Sequence, residues 1–222
     1  IWNEIINYWK EIHRKKGYTE IRTPQILDKK LWQISGHWEK YKDNIFLTEY
    51  EKRQFAVKPM NCPGGMLIYK NRPKSYRELP LRMAELGVVH RQELSGVLGG
   101  MFRVIQFTQD DAHIFCTEEQ IEEEVNEIIS VVEEIYGKFG LKYRVELSTR
   151  PEKRIGDEKV WDKSEAILEK ILKKKKIQFK INVGDGAFYG PKIDFHLKDS
   201  LGREWQTATI QLDMSMPERF EL

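Results

Sequence analysis

Hydrophobic and polar positions recur along this chain with two periods, and the switches between them mark out its elements. At the start, "IWNEIINYWKEIHRKKG" places Ile1, Ile5, Trp9 and Ile12 at helical spacing, with Gly17 where the helix should stop. "YTEIRTP" reads as a strand ended by Pro24. "NIFL" and "QFAVKP" are short strand candidates. "GVVHRQE" and "MFRVIQFTQDDAHIF" alternate with period two and predict two long strands. The glycine-containing "LSGVLGG" joins them as an antiparallel hairpin with a long loop. The clearest helix is "TEEQIEEEVNEIISVVEEIYGKFG". Thr117 and Gln120 stand at capping-box spacing, and Ile121, Val125, Ile128, Val132 and Ile135 share a face. "KYRVELST" is a strand. A second helix over 157–176 ends in "KKKK", positive charge at the favourable end of the helix dipole. "IQFKINV", "IDFHLKD" and "WQTATIQLD" are three further strands between glycine-rich turns. The order predicts an α+β fold, a mainly antiparallel sheet with helices packed on one side. No repeat, linker or low-complexity segment interrupts it.

Composition narrows this picture. At 222 residues and 40% hydrophobic content the chain is long enough for one substantial core. Charged residues make up 32% but nearly cancel, leaving net +2, so no molecule-wide polyanion-binding signature exists. Cys62 and Cys116 lie far apart and form neither a disulfide framework nor a paired zinc motif. A reducing, cytosolic setting suits them. No apolar run approaches the roughly 18 residues of a membrane span, and no signal-peptide pattern is present. The chain opens inside a helix and ends at "MPERFEL" without an evident closing element, which reads as a piece of a longer protein.

Four stretches carry candidate chemistry. In "KPMNCPGG" a lone Cys62 stands between helix breakers, with no strand or helix period around it. It is a buried thiol in a turn, a nucleophile or a metal ligand; as a turn cysteine with no helix N-terminus behind it, it lacks the usual activation of a nucleophile. Arg91 and Glu93 at one hairpin strand's end, with Arg103 at the start of the next, form two guanidinium forks able to clamp a polyphosphate. Phe107 follows Arg103 at period-two spacing and could stack a planar base. The alternative is a hairpin with solvated ends and a core phenylalanine. In "TQDDAH", Gln109, Asp111 and His113 point to one face of a strand. His113 pairs with Cys62 as a possible zinc ligand, with His37, His90 or His196 as a third, since zinc needs at least three protein ligands. A hydrogen-bonded core histidine is the plainer reading. Finally, "GDGAFYGPKIDF" and "WQTATIQLD" combine a tight glycine turn with the amides Gln206 and Gln211, or make a plain three-stranded meander. No nucleophile elbow, Walker loop or dinucleotide fingerprint occurs.

Together, "KPMNCPG", "SYRELPLRMAELGVVHRQE", "FTQDDAHIFCTEEQI", "LSTRPEKRIGDE", "GAFYGPKIDF" and "ATIQLD" resemble the threonyl-tRNA synthetases, class II aminoacyl-tRNA synthetases, from the first helix to the last residue. The resemblance implies the class II fold as one catalytic core over 1–222, an antiparallel sheet flanked by helices. It implies that threonine and ATP, with magnesium, form threonyl-adenylate, and that the threonyl group then passes to tRNA. Pro24 matches a motif that lies at a dimer interface. Arg91, Glu93 and Arg103 match catalytic residues around the α-phosphate and adenine, and Phe107 the residue under the adenine ring. Gln206 and Thr209 match further nucleotide contacts. Met60, Gln109, Asp111, Tyr189, Lys192 and Gln211 match the threonine and adenylate pocket, and Cys62 and His113 match two of three zinc ligands.

The resemblance also exposes departures. By the resemblance, the family's third zinc ligand, third motif and anticodon-binding domain are expected after "MPERFEL", and its N-terminal editing domains are not expected within these residues. Gly65 stands where the family usually has histidine; Gly99, Ile105, Gln106 and Thr207 also differ. These changes lead to the expectation of an incomplete zinc site, weak ATP binding and little adenylate formation. The competing readings are an altered synthetase scaffold with a different ligand or none, and, ranked last, a metal-dependent hydrolase built on Cys62 and His113.

Overall fold

Helix α1 (Trp2–Lys15) turns Trp9 and Ile12 inward while Ile1 and Ile5 stay exposed, so the helical pattern holds but only its second half is core. Gly17 ends it with φ +77, and Tyr18 N–H donates to the His13 carbonyl at 2.9 Å. The computed structural model describes residues 1–222, and the chain divides into two compact units, Ile1–Thr117 with Arg219–Leu222, and Glu118–Glu218.

In the first unit the "YTEIRTP" stretch is a strand for two residues only, β1 (Thr19–Glu20), paired parallel to the first hairpin strand. Next come β2 (Ile26–Asp28), α2 (Lys29–Ile34) and α3 (His37–Lys40), short elements that the periodic pattern does not reveal. Asp28 caps α2 by accepting from Lys30 N–H at 2.9 Å. Strands β3 (Leu47–Tyr50) and β4 (Arg53–Val57) complete a small antiparallel sheet in the order β2-β4-β3. Trp32, Ile45 and Ala56 form its core, with Leu27, Trp38 and Tyr41 packed against them. The "CPGG" stretch is not a turn: it opens helix α4 (Cys62–Lys70), with Pro63 in the first turn, where a missing N–H costs nothing. The long hairpin is β5 (Leu81–His90) and β6 (Gln106–Phe115), antiparallel over ten residues each. Arg103 therefore precedes β6, bridged to Gly99, and does not share a strand with Phe107. At the other end of the unit Phe220 is buried, and its carbonyl accepts from Lys70 Nζ at 2.7 Å.

In the second unit a 3-10 turn over Glu118–Gln120 leads into α5 (Ile121–Lys138). Gln120 is the N-cap residue of α5 and makes no side-chain cap bond to it. The buried face is Ile121, Val125, Ile129, Val132 and Tyr136, which replaces Ile128 and Ile135 by their neighbours. Strand β7 (Tyr143–Ser148) is followed by α6 (Glu158–Lys174), capped by Asp157, and then β8 (Phe179–Asn182), β9 (Lys192–Lys198) and β10 (Glu204–Gln211). A short helix, α7 (Met216–Arg219), comes last. The sheet order is β10-β9-β7-β8, with β8 parallel to β7, so the last three strands are no meander. The helix between β7 and β8 is what allows the parallel return. Arg150, just after β7, ties this return to α6 by reaching Glu158 at 2.9 Å, Asp162 at 2.5 Å and Glu165 at 2.7 Å.

Two buried polar arrangements hold the first unit together. Lys58 follows β4 and is fully buried; its Nζ donates to Glu85 Oε1 of β5 at 3.1 Å and to Thr23 Oγ1 at 2.8 Å. Glu85 also accepts from the Thr23 N–H at 2.8 Å. Asn61, fully buried before α4, donates to Asp111 of β6 at 2.9 Å. It passes so close to Gly87 that a Cβ there would lie 2.2 Å from its Oδ1, so only glycine fits. His37, the first residue of α3, is also buried: Nδ1 lies 2.8 Å from Ser35 Oγ and Nε2 3.0 Å from Met60 Sδ. Burial, and then the charges of Arg219 and Arg91, lower its pKa to about 4.

Two stability predictions arise. Lys58→Met leaves Glu85 buried without its cation and should lower stability by about 3–5 kcal/mol, whereas Lys58→Met with Glu85→Leu should cost much less. Denaturant midpoints for the single and double variants test this; equal losses would contradict it. His37 stays neutral in the fold, while the unfolded chain takes up a proton near pH 6.5. Its contribution is thus full above that pH and is lost as pH falls towards 4, about 3 kcal/mol in all. His37→Gln should remove that slope, read as the difference in unfolding free energy between the two proteins at pH 7 and pH 4.

Candidate functional site

The β5–β6 register sets Val89 opposite Phe107, Gly87 opposite Gln109, Glu85 opposite Asp111 and Met83 opposite His113. Alternation then puts Phe107, Gln109, Asp111 and His113 on one half-buried face, while Thr108, Asp110 and Ala112 are exposed on the other. The start of α4 lies over the first face. Asn61 holds Asp111, and a Cβ on Gly65 would stand 3.2 Å from His113 Nδ1. Gly65 packs closely against the imidazole. Cys62 lies three residues before it, on the same side of the helix, so Cys62 and His113 share a neighbourhood. Cys62 does sit at a helix N-terminus, contrary to its reading as a turn residue.

No three histidine, cysteine or acidic side chains come together as a metal group. His37 is engaged with Ser35 and Met60, and His196 lies in the other unit, 3.1 Å from Glu146. Two donors fall short of zinc's need for three, so residues 1–222 do not fit a zinc site by themselves.

At the open end of the hairpin, Arg91 N–H donates to the Ile105 carbonyl at 2.8 Å. Its Nε donates to the Pro59 carbonyl at 3.2 Å, and its guanidinium lies 5.0 Å from the centre of the Phe107 ring. Arg103 is turned onto Glu93, with NH2 3.0 Å and Nε 3.3 Å from Oε2. The Glu93 side chain is only 11% exposed, which strengthens the pair, and its Oε1 is left over. Tyr41 lies in the field of all three charges, and burial raises its pKa. No periodic pattern marks Tyr41; it packs against the core of the small sheet and from there faces Arg91, Glu93 and Arg103.

The remaining candidates gather in the second unit. Tyr189, buried, donates to Gln211 Oε1. Lys192, Gln206 and Thr209 converge on Asp194, a fully buried carboxylate that also accepts from Ser148 Oγ at 2.6 Å. Sequence reasoning passed over Asp194, Lys58, Asn61 and Glu85; the one signal for them was a charge or amide inside an otherwise apolar strand or beside it. On the spacing of residues alone, Gln206 and Gln211 would lie on opposite faces of β10. A bulge between Gln206 and Ala208 corrects the parity, and Thr207 occupies it, with Oγ1 2.7 Å from the Tyr136 hydroxyl.

Comparison with known proteins places this arrangement. Residues 46–222 match the family model described as tRNA synthetase class II core domain (G, H, P, S and T). The threonine–tRNA ligase of Acetivibrio thermocellus is 60% identical over 220 residues, covering 99% of this chain, and that of Thermotoga petrophila is 55% identical over 222 residues, covering all of it. The chain spans 35% of the length of each. The RNA binding domain of threonyl-tRNA synthetase from Cryptosporidium parvum Iowa II matches with a TM-score of 0.96 and 46% identity, over all of this chain and 55% of that one. Giardia lamblia prolyl-tRNA synthetase, at 17% identity and a TM-score of 0.75, covers 99% of this chain and 39% of that one and shares the fold. No helix is long and apolar enough to cross a membrane. With its α+β fold and the family model matched over most of its length, the chain belongs to the class II tRNA synthetase core domains.

Proposed function

We propose that this chain is the adenylate-forming core of a threonine–tRNA ligase. The observation that carries the reading is the single face of β6 bearing Phe107, Gln109, Asp111 and His113, with Arg91 held beside the Phe107 ring. A threonine carboxylate oxygen attacks the α-phosphorus of ATP and pyrophosphate leaves. The attack needs no proton transfer, so positioning and charge stabilisation do most of the catalysis. Arg91 and Arg103 meet phosphate oxygens; Glu93 keeps Oε1 for the adenine amine; Phe107 stacks the base. In the first unit Met60, Gln109 and Asp111 are the candidates for threonine and the adenylate; in the second, Tyr189, Lys192 and Gln211 are candidates for the same ligands, and Gln206 and Thr209 for the nucleotide. A terminal tRNA hydroxyl then attacks the carbonyl and AMP leaves. Magnesium accompanies ATP as part of the substrate. Cys62 and His113 would be two donors towards a zinc ion, short of the three it needs, and no step is routed through it. The two cysteines, outside any disulfide, suit a cytosolic setting.

The same reading keeps the expectation of weak activity. Exposed Ile105 adds no charge beside the arginines, and Gly65 adds no imidazole beside His113. The identity of 60% to a threonine–tRNA ligase favours this reading over a repurposed scaffold. By calorimetry ATP–Mg should bind this chain with a dissociation constant of about 1 mM, and Arg91→Ala should weaken it by about tenfold or more. Threonine-dependent ATP–pyrophosphate exchange should be slight. Micromolar binding with robust exchange would refute the weak activity; indifference to Arg91→Ala would refute the site.

The chain should also pair with a second copy through α1 and β1. Ile1, Trp2 and Ile5 are 99%, 61% and 45% exposed on α1, and β1 is an edge strand. Sedimentation at roughly tens of micromolar should show a dimer, weakened by Trp2→Lys. A monomer throughout that range rules the pairing out.

A further inference from the structure

Asp194 has no role in the reading above, yet three of the side chains assigned to nucleotide and substrate converge on it. Its Oδ2 accepts from Ser148 Oγ at 2.6 Å and lies 2.8 Å from Lys192 Nζ. Its Oδ1 accepts from Gln206 Nε2 at 2.7 Å and from Thr209 Oγ1 at 3.0 Å. A carboxylate facing an ammonium only accepts, so all four partners must turn donors towards it. Thr209 then uses its hydroxyl proton on Asp194 and offers a lone pair sideways, where Gln206 Nε2 donates at 2.9 Å. Both amide protons of Gln206 are consumed in this way. Its amide can sit in only one of two flips, with Nε2 inward and Oε1 outward and free of any protein donor.

We propose that Asp194 is a positioning residue that locks the Gln206 amide as a bare acceptor, selecting a ligand that presents a hydroxyl donor. The proposal rests on the reading that Gln206 and Thr209 face the nucleotide, and the matching donor is a ribose hydroxyl. The internal phosphates of a nucleotide, which present only acceptors at neutral pH, are disfavoured at this spot. The bulge between Gln206 and Ala208 is part of the device, because regular alternation would turn Gln206 and Thr209 to opposite faces. Asp194→Asn tests the lock. An asparagine has one oxygen and one NH2 for four donors, and Lys192 cannot turn acceptor. The oxygen therefore stays with Lys192 and Ser148, the NH2 faces Gln206 and Thr209, and the Gln206 amide is released or reversed.

The first measurement needs no ligand. In amide proton–nitrogen spectra of the chain, the Gln206 side-chain pair, assigned by its loss in Gln206→Ala, should be shifted and protected from exchange. It should move to the solvent-averaged position in Asp194→Asn. Thr209→Val, which keeps the shape but removes the hydroxyl, should release one of the two protons and serves if Asp194→Asn does not fold. A Gln206 amide already averaged in the native chain, or unmoved by both variants, overturns the proposal. The second measurement compares ATP with 2′,3′-dideoxy-ATP by calorimetry. The native chain should prefer ATP by about tenfold, the worth of one hydrogen bond, and Asp194→Asn should erase the preference. Adding Asp194→Asn to Gln206→Ala should change nothing further, since both act through one amide. Preference retained in Asp194→Asn also overturns the proposal. If the native chain binds neither nucleotide, the synthetase reading fails, and the amide spectra still decide the role of Asp194.

Discussion

The buried ammonium of Lys58 is the constraint on which much of the first unit depends. A charge with no solvent contact persists only with a counter-charge and full hydrogen bonding, and here Glu85 and Thr23 supply both. The three come from segments far apart in sequence: the stretch after β1, the end of β4 and the middle of β5. Meeting their demands fixes the register of β5, and with it the position of β6, whose Asp111 stands directly opposite Glu85. The charge pair is costly as a source of stability, but it specifies one arrangement of strands beneath the candidate site.

The second unit repeats the principle with another carboxylate. Asp194 is fully buried and takes donors from β7, β9 and β10. In both units an acceptor-only group dictates which way its neighbours turn. A site built so is preorganised, because its polar side chains are oriented before a ligand arrives. The same logic explains the close-packed glycines. Gly87 gives up a side chain for the close approach of Asn61, and Gly64 for that of Thr23.

Much of this was legible in the sequence, for definable reasons. The hairpin, the two long helices and the alternating face of Gln109, Asp111 and His113 follow from local periodicity, which a one-dimensional pattern preserves. The failures share a cause as well. "CPGG" reads as a turn because glycine and proline are poor helix formers, yet proline costs nothing in a first turn and Gly64 packs so closely on Thr23 that a Cβ would lie 2.8 Å from its side chain. Alternation runs Arg103 into a strand that begins only at Gln106, since periodicity says little about where an element starts.

By itself, the order of residues determined the fold class and which side chains are candidates for chemistry, because these depend on residue type and near-neighbour spacing; the family came from the resemblance of whole stretches. Tertiary structure decided what those side chains do to one another. It turned Arg103 onto Glu93, placed Tyr41 in the field of both arginines, and used a one-residue bulge to bring Gln206 and Thr209 to one carboxylate. It also made Lys58 and Asp194, unremarked in the linear pattern, the centres of their units. The physical reason is that a buried charge is satisfied by groups distant in sequence, and no local period records where those groups will meet.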